Sequence, residues 1–118
     1  MSSQPTNPII YVKSACPFCL KLRIFLTEAG LADIFYFVTF EDGDETHKAL
    51  RKRMQDAGQE PSFPAAEQAD NSLKTGSDDL ITLYAREANI DPAQLDLLTY
   101  YENGVFPAHI EMFRKLQS

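Results

Sequence analysis

The chain reads as an α/β fold, and three observations carry that reading. Two short runs of β-branched and aromatic residues are separated by a helix-period segment, and a polar helix follows them. Pro8 to Val12 is an apolar, β-branched run and predicts a buried strand. Lys13-Ser14-Ala15 is a loop, and Cys16-Pro17 opens a helix, since proline is tolerated in a first turn. Phe18, Leu22, Phe25, Leu26 and Ala29 recur at helical spacing, with Gly30 as the C-terminal stop. Ile34 to Phe40 is the strongest strand signal in the sequence. After the turn Glu41-Asp42-Gly43-Asp44, a polar helix is expected from Glu45 to Ala57, ended by Gly58. This β-α-β-α order implies parallel strands joined by a crossover helix.

The second half is less regular. Ser62 to Thr75 predicts a short hairpin turning at Asp70-Asn71-Ser72, although Ala65-Ala66-Glu67-Gln68-Ala69 is poor in strand-forming residues. Ser77 is expected as the N-cap of a helix carrying Leu80, Ile81, Leu83, Tyr84 and Ala88, with Asp78 and Asp79 favourably placed in its first turn. Asp91-Pro92-Ala93-Gln94 has the pattern of another helix start. Leu95, Leu98 and Tyr101 would form its apolar stripe up to a break at Asn103-Gly104. A last amphipathic stretch would bury Ile110, Phe113 and Leu116.

At 118 residues, with no repeat, low-complexity tract or linker, residues 1–118 read as one domain. The first seven residues are polar and expected to be loose. A formal net charge of -6 argues against nucleic acid as a partner, because phosphate binding requires a basic footprint. No apolar run approaches the roughly 20 residues of a membrane span. The first residues lack the basic and apolar regions of a signal peptide, so a cytoplasmic, reducing location is expected.

In that setting a Cys-x-x-C pair points to redox or metal chemistry rather than a structural disulfide. Cys16 stands where unpaired backbone amides and the positive end of the helix dipole favour a thiolate, and Lys13 adds a nearby charge. Cys19 follows one turn later, within reach of a disulfide. The nucleophile is expected to be Cys16, exposed at the helix mouth. Two buried structural cysteines are the plain alternative. Zinc needs about four ligands, and His47 and His109 lack motif spacing, so no metal is expected. Lys48, Arg51, Lys52 and Arg53 form the one basic patch: a solvated helix face, or a surface that steers an anion or an acidic partner.

The segment Ile10 to Cys19, ending in Cys-Pro-Phe-Cys, resembles the strand and active-site motif of dithiol glutaredoxins. Ser62-Phe63-Pro64 is similar to that family's Thr-Val-Pro, whose proline is cis, and Thr75 to Leu80 is similar to its Gly-Gly-Cys-Asp-Asp-Leu. The likeness covers residues 8–90, leaving 91–118 as a helical extension. It implies a thioredoxin fold (β-α-β-α-β-β-α around a mixed four-stranded sheet) and glutathione as co-substrate. The substrates it implies are disulfides or glutathione mixed disulfides of proteins or small molecules.

The resemblance also implies residue roles. Cys16 would attack and Cys19 would resolve. Phe63, before Pro64, would pair with the cysteinyl backbone of glutathione, as in strand addition. The amides of Ser77 and Asp78 would hold the γ-glutamyl carboxylate, and the Asp78 side chain the amine. Lys13, with Gln59 a lesser candidate, would take the glycine carboxylate, and Phe18 would wall the groove. Read alone, Ser77 and Asp78 are a helix cap before they are a ligand site, and Lys13 is equally a solvated loop lysine. Thr75 and Phe63 depart from the family pattern, and Pro64-Ala65 and Leu73 to Asp78 look as much like the amino-terminal domain of glutathione transferases. The alternatives are therefore a transferase-like thiol transferase, or a non-catalytic redox sensor or interaction module.

Overall fold

Ile9 to Lys13 alternates its side chains across two apolar layers, which suits it to an inner position in the sheet. In the computed structural model, which describes residues 8–117, this segment is β1. Ile10 and Val12 point to one core with Leu22, Phe25 and Leu26, while Tyr11 packs with a second core of Phe40, Leu50 and Met54. The expectation for residues 1–7 lies outside the described residues.

The order is β1, α1 (Pro17–Glu28), β2 (Tyr36–Phe40), α2 (Glu45–Asp56), β3 (Ala65–Glu67), β4 (Leu73–Thr75), α3 (Ser77–Ala88), α4 (Asp96–Tyr100) and α5 (Phe106–Gln117). The protein is a mixed α/β structure with one four-stranded mixed sheet in the order β2-β1-β3-β4. β1 runs parallel to β2, with Ile9 opposite Tyr36, and antiparallel to β3, with Ile10 opposite Ala66. Side chains of α1 and α3 belong to the first core, and those of α2 belong to the second. Ala65 and Ala66 make a strand despite weak propensity because both are fully buried between β1 and β4. Among the described residues, no helix is long and apolar enough to cross a membrane.

Several boundaries differ from the sequence expectation. Ala32–Ile34 is a 3-10 turn, so β2 begins at Tyr36 and Ile34 is half exposed. Ser77 is the first helical residue rather than the cap of α3. The cap is Gly76, whose φ of +97° is one that side-chain-bearing residues rarely adopt. Pro92–Gln94 forms only a 3-10 turn, with Asp91 capping the Ala93 amide. The next helix, α4, takes its N-terminal cap from elsewhere: Glu28, at the end of α1, accepts from the Leu97 and Leu98 amides at 2.7 and 2.8 Å.

Gly104 does not end that helix. The backbone widens into a π turn over Tyr101–Val105, where the Phe106 amide bonds the Tyr101 carbonyl, and continues into α5. A widened turn accommodates Pro107, which has no amide to donate to the preceding turn. Leu98, Tyr101 and Ile110 are buried. Leu116, expected beside them, is instead 83% exposed.

Candidate active site

Ala15, at φ +60°, turns the chain in a left-handed residue immediately before Cys16. Cys16 is extended and caps α1, with Pro17 in the first turn, where no amide is needed. The Cys16 Sγ accepts from the Cys19 amide at 3.3 Å. Both cysteines are free thiols. The Cys19 thiol donates to Cys16, the Cys19 and Phe18 amides add to it, and Lys13 contributes positive charge. Together they outweigh burial and lower the Cys16 thiol from 9.0 to about 7. Cys19 moves the other way: its proton is held by the Cys16 sulfur, and burial adds to the effect, so it remains a thiol. Its sulfur also accepts the Lys13 amide at 3.3 Å.

Cys16 is 8% exposed, which corrects the expectation of an open helix mouth. Residues from far along the chain pack onto the neighbouring Pro17 and Phe18. Phe106 meets the Phe18 ring edge-on at 5.5 Å, Phe113 meets it at 6.4 Å, and the Tyr101 hydroxyl donates to the Pro17 carbonyl at 3.2 Å. Cys16 and Cys19 line a cavity of about 250 Å³ with Val12, Lys13, Arg23 and His109 among its other walls. His109, read from sequence as a surface or packing residue, therefore shares a cavity with both sulfurs. Local sequence carries no signal for this placement, because a separate helix delivers the residue.

A second cleft, of about 400 Å³, gathers four of the expected residues. Phe18, Phe63, Ser77 and Asp78 line it together with Ser62, Gly76 and Asp79. Phe18 links the two spaces: its ring lines the cleft and its amide bonds Cys16. The Phe63–Pro64 peptide is cis, Pro64 is buried, and its carbonyl accepts the Gly76 amide at 3.2 Å. Gly76 has no side chain to cap α3, so the first-turn amides border the cleft without an internal anion acceptor from that position.

The charged candidates are already paired. Lys13 meets Asp42 at 2.9 Å, and that contact holds the Asp42 carboxyl below its usual range. Asp78 accepts from Lys21 at 2.5 Å, leaving its second oxygen outside that bond. Lys21 is not among the residues expected at the site. It is buried, also meets Glu102 at 3.3 Å and stands 4.7 Å over the Phe106 ring, so it ties the cleft to the C-terminal helices. A lysine on the apolar side of an amphipathic helix was the available clue. Gln59 is not at the cleft; its amide bonds the Leu73 carbonyl at 2.9 Å.

The basic patch is largely neutralised. Lys48 pairs with Glu45 and Lys52 with Asp56, while Arg53 reaches across to Glu67 and the Asn71 carbonyl. His47 is a packing residue, tilted against Phe40, edge-on to Phe63 and accepting the Gly43 amide. Among the described residues, no group of three or more His, Cys, Asp or Glu is arranged to hold a metal ion. No protein-family model matches the chain, and no curated protein matches it.

Proposed function

We propose that the chain is a glutaredoxin-like, glutathione-dependent thiol–disulfide oxidoreductase on a thioredoxin fold, acting in a reducing compartment such as the cytoplasm. The observation that carries the reading is the unequal cysteine pair: a Cys16 sulfur held near neutral ionisation by its donors, next to a Cys19 kept as a thiol. Thiol exchange needs an attacking sulfur that is a thiolate at ambient pH, and an attacking thiol that ionises near ambient pH is close to optimal. The fold reading is supported by the mixed four-stranded sheet with Cys16 at the junction of β1 and α1.

Glutathione fits the adjoining cleft in kind. Its γ-glutamyl carboxylate suits the uncapped amides of Ser77 and Asp78, its amine the free oxygen of Asp78, and its cysteinyl backbone the Phe63 edge beside Pro64. Phe18 supplies an apolar wall. Lys13 is the candidate for the glycine carboxylate and would exchange Asp42 for it. In the reaction, Cys16 thiolate attacks the glutathione sulfur of a mixed disulfide, forming the Cys16–glutathione disulfide and releasing the substrate thiolate. A second glutathione thiolate then attacks the glutathione sulfur, releasing oxidised glutathione and restoring Cys16. Alternatively Cys19 attacks Cys16, releasing glutathione and leaving an internal disulfide that two glutathiones reduce.

The testing experiment is turnover of a glutathionylated peptide with glutathione, glutathione reductase and NADPH. Wild type should turn over and Cys16→Ser should not; absence of wild-type turnover refutes the proposal. One observation favours a sensor instead, namely the packing of Tyr101 and Phe106 over the Cys16 region. A protein that forms the disulfide and changes α5 packing without turnover would be that sensor.

A further inference from the structure

Tyr101 has one hydroxyl proton and two neighbours. The hydroxyl donates to the Pro17 carbonyl at 3.2 Å, and a carbonyl only accepts. The same oxygen lies 3.1 Å from His109 Nδ1. With its proton committed to Pro17, the Tyr101 oxygen is the acceptor in that second contact, and Nδ1 must donate. The neutral imidazole then carries its hydrogen on Nδ1, and Nε2 is the basic nitrogen. This ring lines the cavity that Cys16 and Cys19 share.

Cys19 has a corresponding need. To resolve an adduct on Cys16 it must lose its proton, yet its burial, which persists once Cys16 is blocked, favours the thiol. The other charged or titratable groups around this cavity are Lys13 from β1, Arg23 and Cys16 from the α1 region, and Tyr101 beside the ring. Of these, Lys13 and Arg23 are cations, Cys16 is blocked in the adduct, and Tyr101 has its proton engaged. His109 alone in this set offers a neutral base.

We propose that His109 is the general base for Cys19, its Nε2 accepting the Sγ proton, directly or through one water, as Cys19 attacks Cys16. This rests on the thiol–disulfide exchange reading above. The Cys19–Cys16 bond forms, the bond between Cys16 and the glutathione sulfur breaks, and glutathione leaves as the thiolate. The protonated His109 then returns its proton to the departing thiolate or to solvent. The mixed disulfide is itself the oxidant, so no further reactant is required. A base acts within hydrogen-bond reach or through a single water, and the cavity of about 250 Å³ has room for one.

The test isolates the resolving step in the full-length chain. Reduced protein is mixed with oxidised glutathione at acid pH and then shifted to neutral pH. Acid-quenched samples are read by intact mass for decay of the adduct to the internal disulfide. Wild type is compared with His109→Ala, and with His109→Gln, which retains a polar partner for Tyr101 but no base. The adduct should form in all three. Its decay should slow at least about tenfold in both variants, in keeping with the size of general-base effects, and free imidazole should restore part of the rate in His109→Ala. Decay within about twofold of wild type overturns the inference, as does slowing that imidazole does not relieve. Failure of wild type to form any adduct overturns the functional reading itself, and the inference with it.

Discussion

Replacing Cys19 by alanine removes the largest contribution that holds Cys16 near 7, its thiol hydrogen bond, while leaving the two backbone amides and Lys13 in place. The Cys16 ionisation should therefore move up toward its ordinary 9.0. The full depression from 9.0 to about 7 corresponds to on the order of 2–3 kcal/mol of preference for the thiolate in the folded chain. Because the folded value lies below the unfolded one, the linked stability is absent below about pH 7, grows between about pH 7 and 9, and is complete above that range. Cys19 has the opposite sign: its folded value is raised, so it costs stability once the unfolded Cys19 ionises above about pH 9. The reduced wild type should thus gain on Cys16→Ala by on the order of 2 kcal/mol between about pH 7 and 9. That is about 1 M in urea midpoint for a small domain. Urea unfolding under reducing conditions reads the stability, and iodoacetamide alkylation across pH reads the ionisation. A pH-independent difference, or Cys16 ionisation unchanged in Cys19→Ala, refutes the reasoning.

Three further substitutions probe the frame around the site. Leu98→Ala removes a fully buried side chain where α4 joins the main core and should cost about 2–5 kcal/mol; an unchanged melting temperature would show that the C-terminal helices are not part of the core. Glu28→Ala leaves the two α4 amides without their carboxylate and should cost about 1 kcal/mol, as capping residues do, measured by urea unfolding against wild type. Asp78→Ala should raise the apparent Michaelis constant for glutathione about tenfold, the loss of one hydrogen bond to a charged group, with the Cys16 alkylation profile unaltered. Unchanged glutathione kinetics would remove Asp78 from the binding site.

What was readable in the sequence was local. The β-branched runs at β1 and β2, the helix period of α1 and the Cys-Pro-Phe-Cys spacing each depend on neighbours within a turn or a strand. The cleft residues Phe18, Phe63, Ser77 and Asp78 were reached through resemblance, and the chain does bring them around one space. What could not be read was decided by distant packing. Cys16 is buried, and Tyr101, 84 residues after Pro17, bonds the Pro17 carbonyl beside it; no pattern near Cys16 encodes either. Nor does any encode that His109 shares its cavity. Gly104 looked like a helix end by composition, but burial of Tyr101 and Ile110 on either side of it favours continuing through a π turn. Gly76 rather than Ser77 caps α3 because the chain enters that helix at a φ of +97°, a conformation serine would adopt only under strain. Lys21 sits on the apolar side of α1, but the partners that make its burial possible come from distant segments. Here two carboxylates and an aromatic ring surround it.

The central claim is that Cys16 is the sulfur that exchanges with glutathione and Cys19 the one that resolves. It is tested most directly by treating Cys19→Ser with oxidised glutathione and locating the product by peptide mapping. With no second thiol to release it, one glutathione should accumulate on Cys16. Wild type treated alike should pass to the Cys16–Cys19 disulfide, and Cys16→Ser should remain unmodified at comparable times. Rapid glutathionylation of Cys19 in Cys16→Ser, or no adduct on Cys16 in Cys19→Ser, would contradict the account.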